Sequence, residues 1–462
     1  MRGYINAKDL KCSFYFNELD YSLKLIVPED KINTRLMFDL PNGDFFDGIT
    51  YVEGYTLDGE IVRFYFDWLN ISNLSIDLRV TFLIKFDQQN DNNFGKHVNE
   101  HTQKIVFSGD IIDALYSPKH ALKVNREDMI TDDKGFVRDI KHSITELSFS
   151  EIEQTGVFKY NDKDTVLKFT VNKNISSEDS NYFQSYHSVL AIEFNKNEVF
   201  NIEKLINFYL NIQNLMKFIF RISDFAFRDV KFNLALHESG FIRYGRIFLR
   251  DPQEQGSINR RINFNDVFPV FPDLLTLFLK ENIYLNHLSN NTTGYKYNDI
   301  PFLFSCFDSE FSKCYPEVDK KIDEIYQKDK KTYIELLDKN KNSLNDGEDS
   351  LYSNIKQFLN NNELSFGKKI NHVILDSKYL ITVIGGEDKI KEYSNRIREF
   401  RNSLIHGRKF KFDKPIDFGE LLLFEKMNYY LIIRRTLDDE DKIKKFISTV
   451  FFAFEHNMIK KD

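Results

Sequence analysis

The stretch Ile202–Ile222, IEKLINFYLNIQNLMKFIFRI, is where the period of the chain changes. Leu205, Ile206, Tyr209, Ile212, Leu215, Met216 and Ile219 recur with the helical period and so share one face of an α-helix. Upstream the period is two. Ser13-Phe-Tyr-Phe16, Tyr21 to Val27, Ile61 to Phe66, Val80 to Phe86 and Lys104 to Phe107 have the alternating, aromatic and β-branched character of strands. Turn clusters such as Pro41-Asn-Gly43 and Leu57-Asp-Gly59 separate them. The change of period predicts an α+β chain, with a β-rich N-terminal domain over 1–195, sandwich or barrel-like, and a helical region over 196–462.

Within the helical region, Gly240 to Arg250 (GFIRYGRIFLR) reads as a strand or hairpin placed before further helices. Pro316 to Asn340 and Leu351 to Asn360 are charged amphipathic helices on either side of the polar break Asn345-Asp-Gly-Glu-Asp349. Four more helices are predicted at about 366–381, 387–406, 416–435 and 439–459. They are broken by Gly385-Gly386, by Gly407 with Pro415, and by Leu437-Asp-Asp-Glu440. Short connections of this kind favour an antiparallel bundle.

At 462 residues and a soft prior of about 150 residues per domain, roughly three domains or subdomains are expected. The hydrophobic fraction, 42%, is enough for sizeable cores. No window reaches the ~18 uncharged apolar residues of a membrane span, and Val267 to Leu279 is interrupted by two prolines and Asp273. The opening residues MRGYINAKDL lack the apolar core and cleavage site of a secretory signal, so a cytoplasmic location is expected. Three cysteines, Cys12, Cys306 and Cys314, without CxxC spacing, imply neither a disulfide framework nor a zinc knuckle. A net charge of −7 argues against nonspecific adhesion of the whole chain to nucleic acid but permits a local basic site.

Three local patterns are weak as sites. His97-Val-Asn-Glu-His101 spells an inverted zincin motif, yet it follows a polar turn and precedes a strand, where the helix that motif requires does not fit. Gly240 to Gly245 has the glycine spacing of a phosphate-binding loop, but Arg246-Ile247 stands where Lys-Ser or Lys-Thr is needed. Asp438-Asp-Glu-Asp441 is better read as acids that open a helix and complement its dipole. No metal or cofactor is implied.

The segment Glu399 to Phe410, EFRNSLIHGRKF, is different. On a wheel of residues 387–406, Tyr393, Ile397, Phe400 and Leu404 form the stripe that should pack inward. Asn395, Arg398, Glu399, Asn402 and His406 lie opposite, with Asn402 and His406 one turn apart. Arg401 sits at the stripe's edge, about 140° around the axis from His406, its stem along apolar surface and its guanidinium reaching outward. Since these two groups converge poorly within one straight helix, a two-fold-related second copy would help bring them together. Residues 389–411 hold eight lysines and arginines against Glu392 and Glu399, a local charge of +6 that suits a polyanion. Cations and a glycine also serve ordinary helix termination, which accounts for part of the segment.

Arg401-Asn-Ser-Leu-Ile-His406 resembles the R-x4-6-H motif of HEPN-domain ribonucleases, and the segment is similar to that of ApeA-like HEPN proteins. Those proteins join a β-rich N-terminal region to a C-terminal all-α HEPN bundle and act in antiphage defence by abortive infection. The resemblance implies metal-independent cleavage of cellular RNA, tRNA among the candidates, through attack of the ribose 2′-OH on the adjacent phosphate. It gives His406 the role of general acid or base and Arg401 that of phosphate clamp. Asn402 orients the imidazole or the RNA, while Arg398, Arg408, Lys409 and Lys411 contact phosphates. It further implies a homodimer or higher homo-oligomer through the bundle, a phage-derived trigger, a sensor role for the N-terminal domain and no membrane partner. The competing expectation is a noncatalytic ligand- or protein-binding module whose bundle is a dimerisation scaffold.

Overall fold

A computed structural model describes residues 1–7, 10–26, 50–71, 75–86, 100–131, 137–178, 181–195, 202–222, 225–227, 229–236, 242–249, 262–281, 283, 300–340, 352–353, 355, 365–406 and 416–459. The chain forms two compact units, Met1–Asn282 and Ile283–Asp462.

The first unit is built on antiparallel strands. β1 (Arg2–Ala7), β2 (Leu10–Asn17), β3 (Ser22–Ile26), β4 (Thr50–Thr56), β5 (Ile61–Ile71) and β6 (Ser75–Phe86) pair in the order β6-β3-β2-β1-β4-β5. A further β5–β6 pairing closes that row into a six-stranded barrel. The expected alternation is present: β3 runs exposed, buried, exposed, buried, exposed. Register shifts beside Phe66 in β5 supply local bends of the sort that closure demands. Phe14, Phe16, Val52, Phe64, Leu78 and Val80 meet in the core, so the barrel is filled rather than hollow. At the β4–β5 turn Gly59 has φ +82°, a left-handed conformation that glycine accepts without steric cost.

β6 joins two architectures. One stretch, Ser75–Arg79, pairs with β3, while Phe82–Phe86 pairs with a strand of an open sheet. That sheet continues from β6 through strands at 242–249, 229–236, 100–108, 181–193, 163–178 and 154–160. In chain order these are β7 (Glu100–Ser108), β10 (Gln154–Tyr160), β11 (Lys163–Glu178), β12 (Asn181–Glu193), β13 (Asp229–Leu236) and β14 (Ile242–Leu249); β8 (Leu122–Thr131) and β9 (Val137–Glu146) form a separate hairpin. The helices of this unit are α1 (Asp110–Leu115), α2 (Phe149–Ile152), α3 (Ile202–Phe220), α4 (Phe264–Val267) and α5 (Phe271–Lys280). α3 and α5 pack on the sheet through pairs such as Phe107–Tyr209 and Phe169–Phe271, ring centroids 6.1 and 5.3 Å apart.

The helix at 202–220 and the hairpin β13–β14 thus belong to the compact unit of the sheet, whereas the sequence reading placed both in the helical region. Gly245, the second glycine of the loop-like spacing, lies within β14, cross-strand from Phe232 and Phe86. A Cβ there would stand 2.3 Å from Phe232 Cζ, so the glycine makes room for a ring rather than for a phosphate. Gly245→Ala is expected to destabilise the chain by about 1–3 kcal/mol through overpacking, read as a lower midpoint in thermal unfolding. Glu100 and His101 begin β7, which is not the helix an inverted zincin needs; His97 lies outside the described residues.

The second unit is helical in its described residues: α6 (Ile300–Cys314), α7 (Pro316–Asn340), α8 (Phe366–Leu375), α9 (Lys378–Ile384), α10 (Ile390–His406), α11 (Phe418–Arg434) and α12 (Glu440–Ile459). α11 is its centre, buried on every side from Leu421 to Ile433. Its start is fixed by a capping box, in which Asp417 accepts from the Glu420 N–H at 2.8 Å and Glu420 accepts from the Asp417 N–H at 3.0 Å. The helix expected at 366–381 is two helices. Ser377 accepts from the Leu380 N–H at 3.2 Å and caps α9, a break that no glycine or proline marks. Of the helix expected at 351–360, only Tyr352, Ser353 and Ile355 lie among the described residues. Among the described residues no helix is long and apolar enough to cross a membrane.

Candidate functional site

α10 carries the Arg401–His406 segment, and its packing follows the wheel. Tyr393 and Ile397 are buried, Phe400 and Leu404 half-buried, and Phe400 meets Phe304 of α6 at 6.3 Å. The polar face, with Asn395, Arg398, Glu399 and Asn402, is partly exposed. Two further contacts fix the start of the helix against α11. Tyr393 donates to the Glu420 carbonyl at 2.9 Å, and Arg396 grips the Glu420 carboxylate with Nε at 2.6 Å and Nη2 at 3.0 Å. The bond to Glu420 raises the Arg396 pKa, and the two-point grip commits this cation to α11. It belongs to the scaffold, and the local charge of +6 overstates what a polyanion would meet.

Arg401 does not reach outward as expected. Its guanidinium carbon lies 4.6 Å from the centroid of Phe366 in α8, and Nη2 donates to Asp308 Oδ2 of α6 at 3.1 Å. The stack and the ion pair hold one plane. Nε is buried and has no hydrogen-bond partner among the described residues. Asp308 is shared: its Oδ1 accepts from Lys369 Nζ at 3.2 Å, and Lys369 is buried against the Phe311 ring. Two cations on one carboxylate leave an excess positive charge beside Phe366, suited to an anion.

The other sequence-derived residues divide. Arg398 contacts the adjacent Glu399 at 3.2 Å and stays partly exposed. Asn402 lies half-buried on the same side of α10 as Arg398. His406 is the last residue of α10. Arg408, Lys409 and Lys411 lie outside the described residues. On a regular helix, residues five apart, such as Arg401 and His406, stand about 7.5 Å apart along the axis and about 140° around it.

Local spacing gave no hint of Asp308 or Lys369, because the Asp308–Arg401 pair spans 93 residues. The stripe Leu303, Phe304, Phe307 and Phe311 was the available signal for α6, and all four are buried. A second polar cluster also went unseen. Asp376 accepts from Tyr315 at 2.7 Å and Tyr430 at 3.0 Å and pairs with Arg434 at 3.5 Å. Burial pushes both phenols well up, so they act as donors that tie α8 and α11 to the residue following α6. Burial likewise pushes the Cys306 thiol up to about 12 and Cys314 to about 11, so neither is a nucleophilic thiolate at neutral pH. Among the described residues no group of three His, Cys, Asp or Glu side chains could hold a metal ion.

Compared with protein-family models, with curated proteins and with solved structures, the chain has no match in any of the three.

Proposed function

We propose that the chain is a HEPN endoribonuclease, ApeA-like, that protects a bacterial population from phage by cutting cellular RNA, with tRNA a leading candidate substrate. The observation that carries the reading is Arg401, stacked on Phe366 and anchored to a shared aspartate, five residues before the histidine that ends the same helix. Such a guanidinium is pre-oriented, and its charge is only partly cancelled.

In the proposed reaction a ribose 2′-oxygen bonds to the adjacent phosphorus while the bond to the 5′-oxygen breaks. The 2′-hydroxyl loses its proton, the departing oxygen gains one, and the products are a 2′,3′-cyclic phosphate and a 5′-hydroxyl. His406 performs one of these transfers, for which imidazole is suited near neutral pH. Arg401 binds the phosphate and stabilises the charge of the pentavalent transition state. Asn402 positions the imidazole or the RNA; Arg398, Arg408, Lys409 and Lys411 contact neighbouring phosphates. Because Arg401 and His406 diverge on one helix, the working site is assigned to a homodimer in which two copies of α10 meet. The barrel and sheet unit is assigned to sensing the phage-derived trigger, by analogy of architecture.

The noncatalytic reading has an observation of its own: the Arg401–Asp308 pair also ties α10 to α6 within the bundle. Phage challenge separates the two. Cells expressing the wild type are expected to survive as a population while His406→Ala cells are lysed; equal survival would sink the defence assignment.

A further inference from the structure

A groove separates α8 from α10. It encloses about 370 Å³ and is lined from α8 by Gly367, Lys368 and Asn371, and from α10 by Lys391, Asn395 and Arg398. Gly367 of α8 faces the Arg398 stem of α10: a Cβ added there would meet Arg398 Cδ at 3.6 Å, an ordinary contact distance. Ser394 donates to Asn371 Oδ1 at 2.5 Å, which fixes one amide of the wall.

Three features define what could occupy it. Three cations line the groove against one acid, Glu387, so an anion is favoured. Lys368 and Lys391 are exposed, and among the described residues neither ammonium group has an ion pair or hydrogen bond. Among the described residues no aromatic side chain lines it, and its apolar share is Leu375 and Ile390, so these residues offer no base a stacking platform. Charged nitrogens and amides without a stacking platform suit phosphates and sugars, read without regard to base sequence.

The groove is also continuous with the proposed site. Lys391, Asn395, Arg398, Asn402 and His406 follow one another at helical spacings of three and four, a single stripe along α10. It runs about 16 Å from Lys391 to Asn402 and ends at His406. We infer that the groove binds the sugar-phosphate backbone of single-stranded RNA, flanking the bond to be cut, through Lys368, Lys391 and Arg398. This rests on the ribonuclease reading. It adds two lysines that the motif does not contain, and a substrate direction along α10.

The test uses the full chain carrying His406→Ala, so that RNA is bound without being cut. Binding of a fluorescent single-stranded oligoribonucleotide is titrated across salt concentrations, with and without Lys368→Glu/Lys391→Glu. The charge reversals are expected to weaken binding about tenfold or more and to reduce the slope of log K against log salt by about 1.4, two single-strand phosphate contacts. Lys445→Glu, exposed on α12, controls for net charge and should change little. Circular dichroism confirms that each variant is folded. Unchanged RNA affinity and slope in the double variant would overturn the groove while leaving the ribonuclease reading intact. Absence of RNA binding by the parent chain would overturn the groove, and the ribonuclease reading would then stand or fall on cleavage by the wild type. Adenosine monophosphate bound as tightly as the oligonucleotide, and equally weakened by the reversals, would overturn RNA in favour of a free nucleotide.

Discussion

His406→Ala is expected to slow RNA cleavage by about 10²–10⁴-fold, the usual contribution of a positioned general acid or base. The measurement is a single-turnover rate on a labelled RNA, alongside thermal unfolding of the same preparation. A merely structural histidine at a helix end would instead change stability by about 0.3–2 kcal/mol and leave chemistry alone. Arg401→Lys sharpens the comparison because it keeps the charge. A lysine cannot both lie flat on Phe366 and donate from a planar fork to Asp308, so the loss should approach that of Arg401→Ala. Full activity in Arg401→Lys would mean that point charge alone suffices, against the clamp assigned here.

Glu310→Ala is expected to have the largest effect on stability. Glu310 is buried in α6, its side chain 3% exposed, and it accepts from Arg435 at 2.6 Å and Lys313 at 2.9 Å. Arg435 is itself only 8% exposed. Removing the acid takes its carboxylate partner from the buried Arg435, at a cost of about 3–5 kcal/mol. For a unit of this size that corresponds to a fall of roughly 10 °C in the midpoint of its unfolding, followed by circular dichroism at the helical band. Replacing both partners by apolar residues, Glu310→Leu/Arg435→Met, should recover much of the loss, because the desolvation penalty disappears with the charges. A single variant as stable as the wild type would show that water reaches the pair.

The elements that the sequence disclosed were those with a strong period and a named stop. α3, α10, α11 and α12 combine an apolar stripe with Gly385-Gly386, Pro415 or an acidic start, and their limits fall within a few residues of expectation. The strands β3, β5 and β6 were legible through alternation. β13 was missed although Val230, Phe232 and Leu234 alternate in it, because the segment lies between a helix and a glycine-rich stretch. Barrel closure and the double partnership of β6 are long-range facts that alternation cannot express. At the site, the angular divergence of Arg401 and His406 came from the sequence, since it depends on helix geometry alone. The turn of Arg401 toward Asp308 did not, because the aspartate lies on α6, whose serines, cysteines and aromatic residues are mediocre helix formers. The groove was invisible for a different reason: both helices were expected, but their approach is a tertiary fact, with α8 supplying four of the ten lining residues.

The central claim, a metal-independent RNA-cleaving centre at Arg401 and His406, is tested most directly by the ends of the RNA it produces. Full-length protein, purified from infected and uninfected cells, is incubated with RNA in EDTA and the termini are identified by mass spectrometry. The account predicts 2′,3′-cyclic phosphate and 5′-hydroxyl ends, no cleavage at a 2′-deoxy position, and none by His406→Ala. Cleavage that requires a divalent ion, that persists in His406→Ala, or that is absent from both preparations would contradict it.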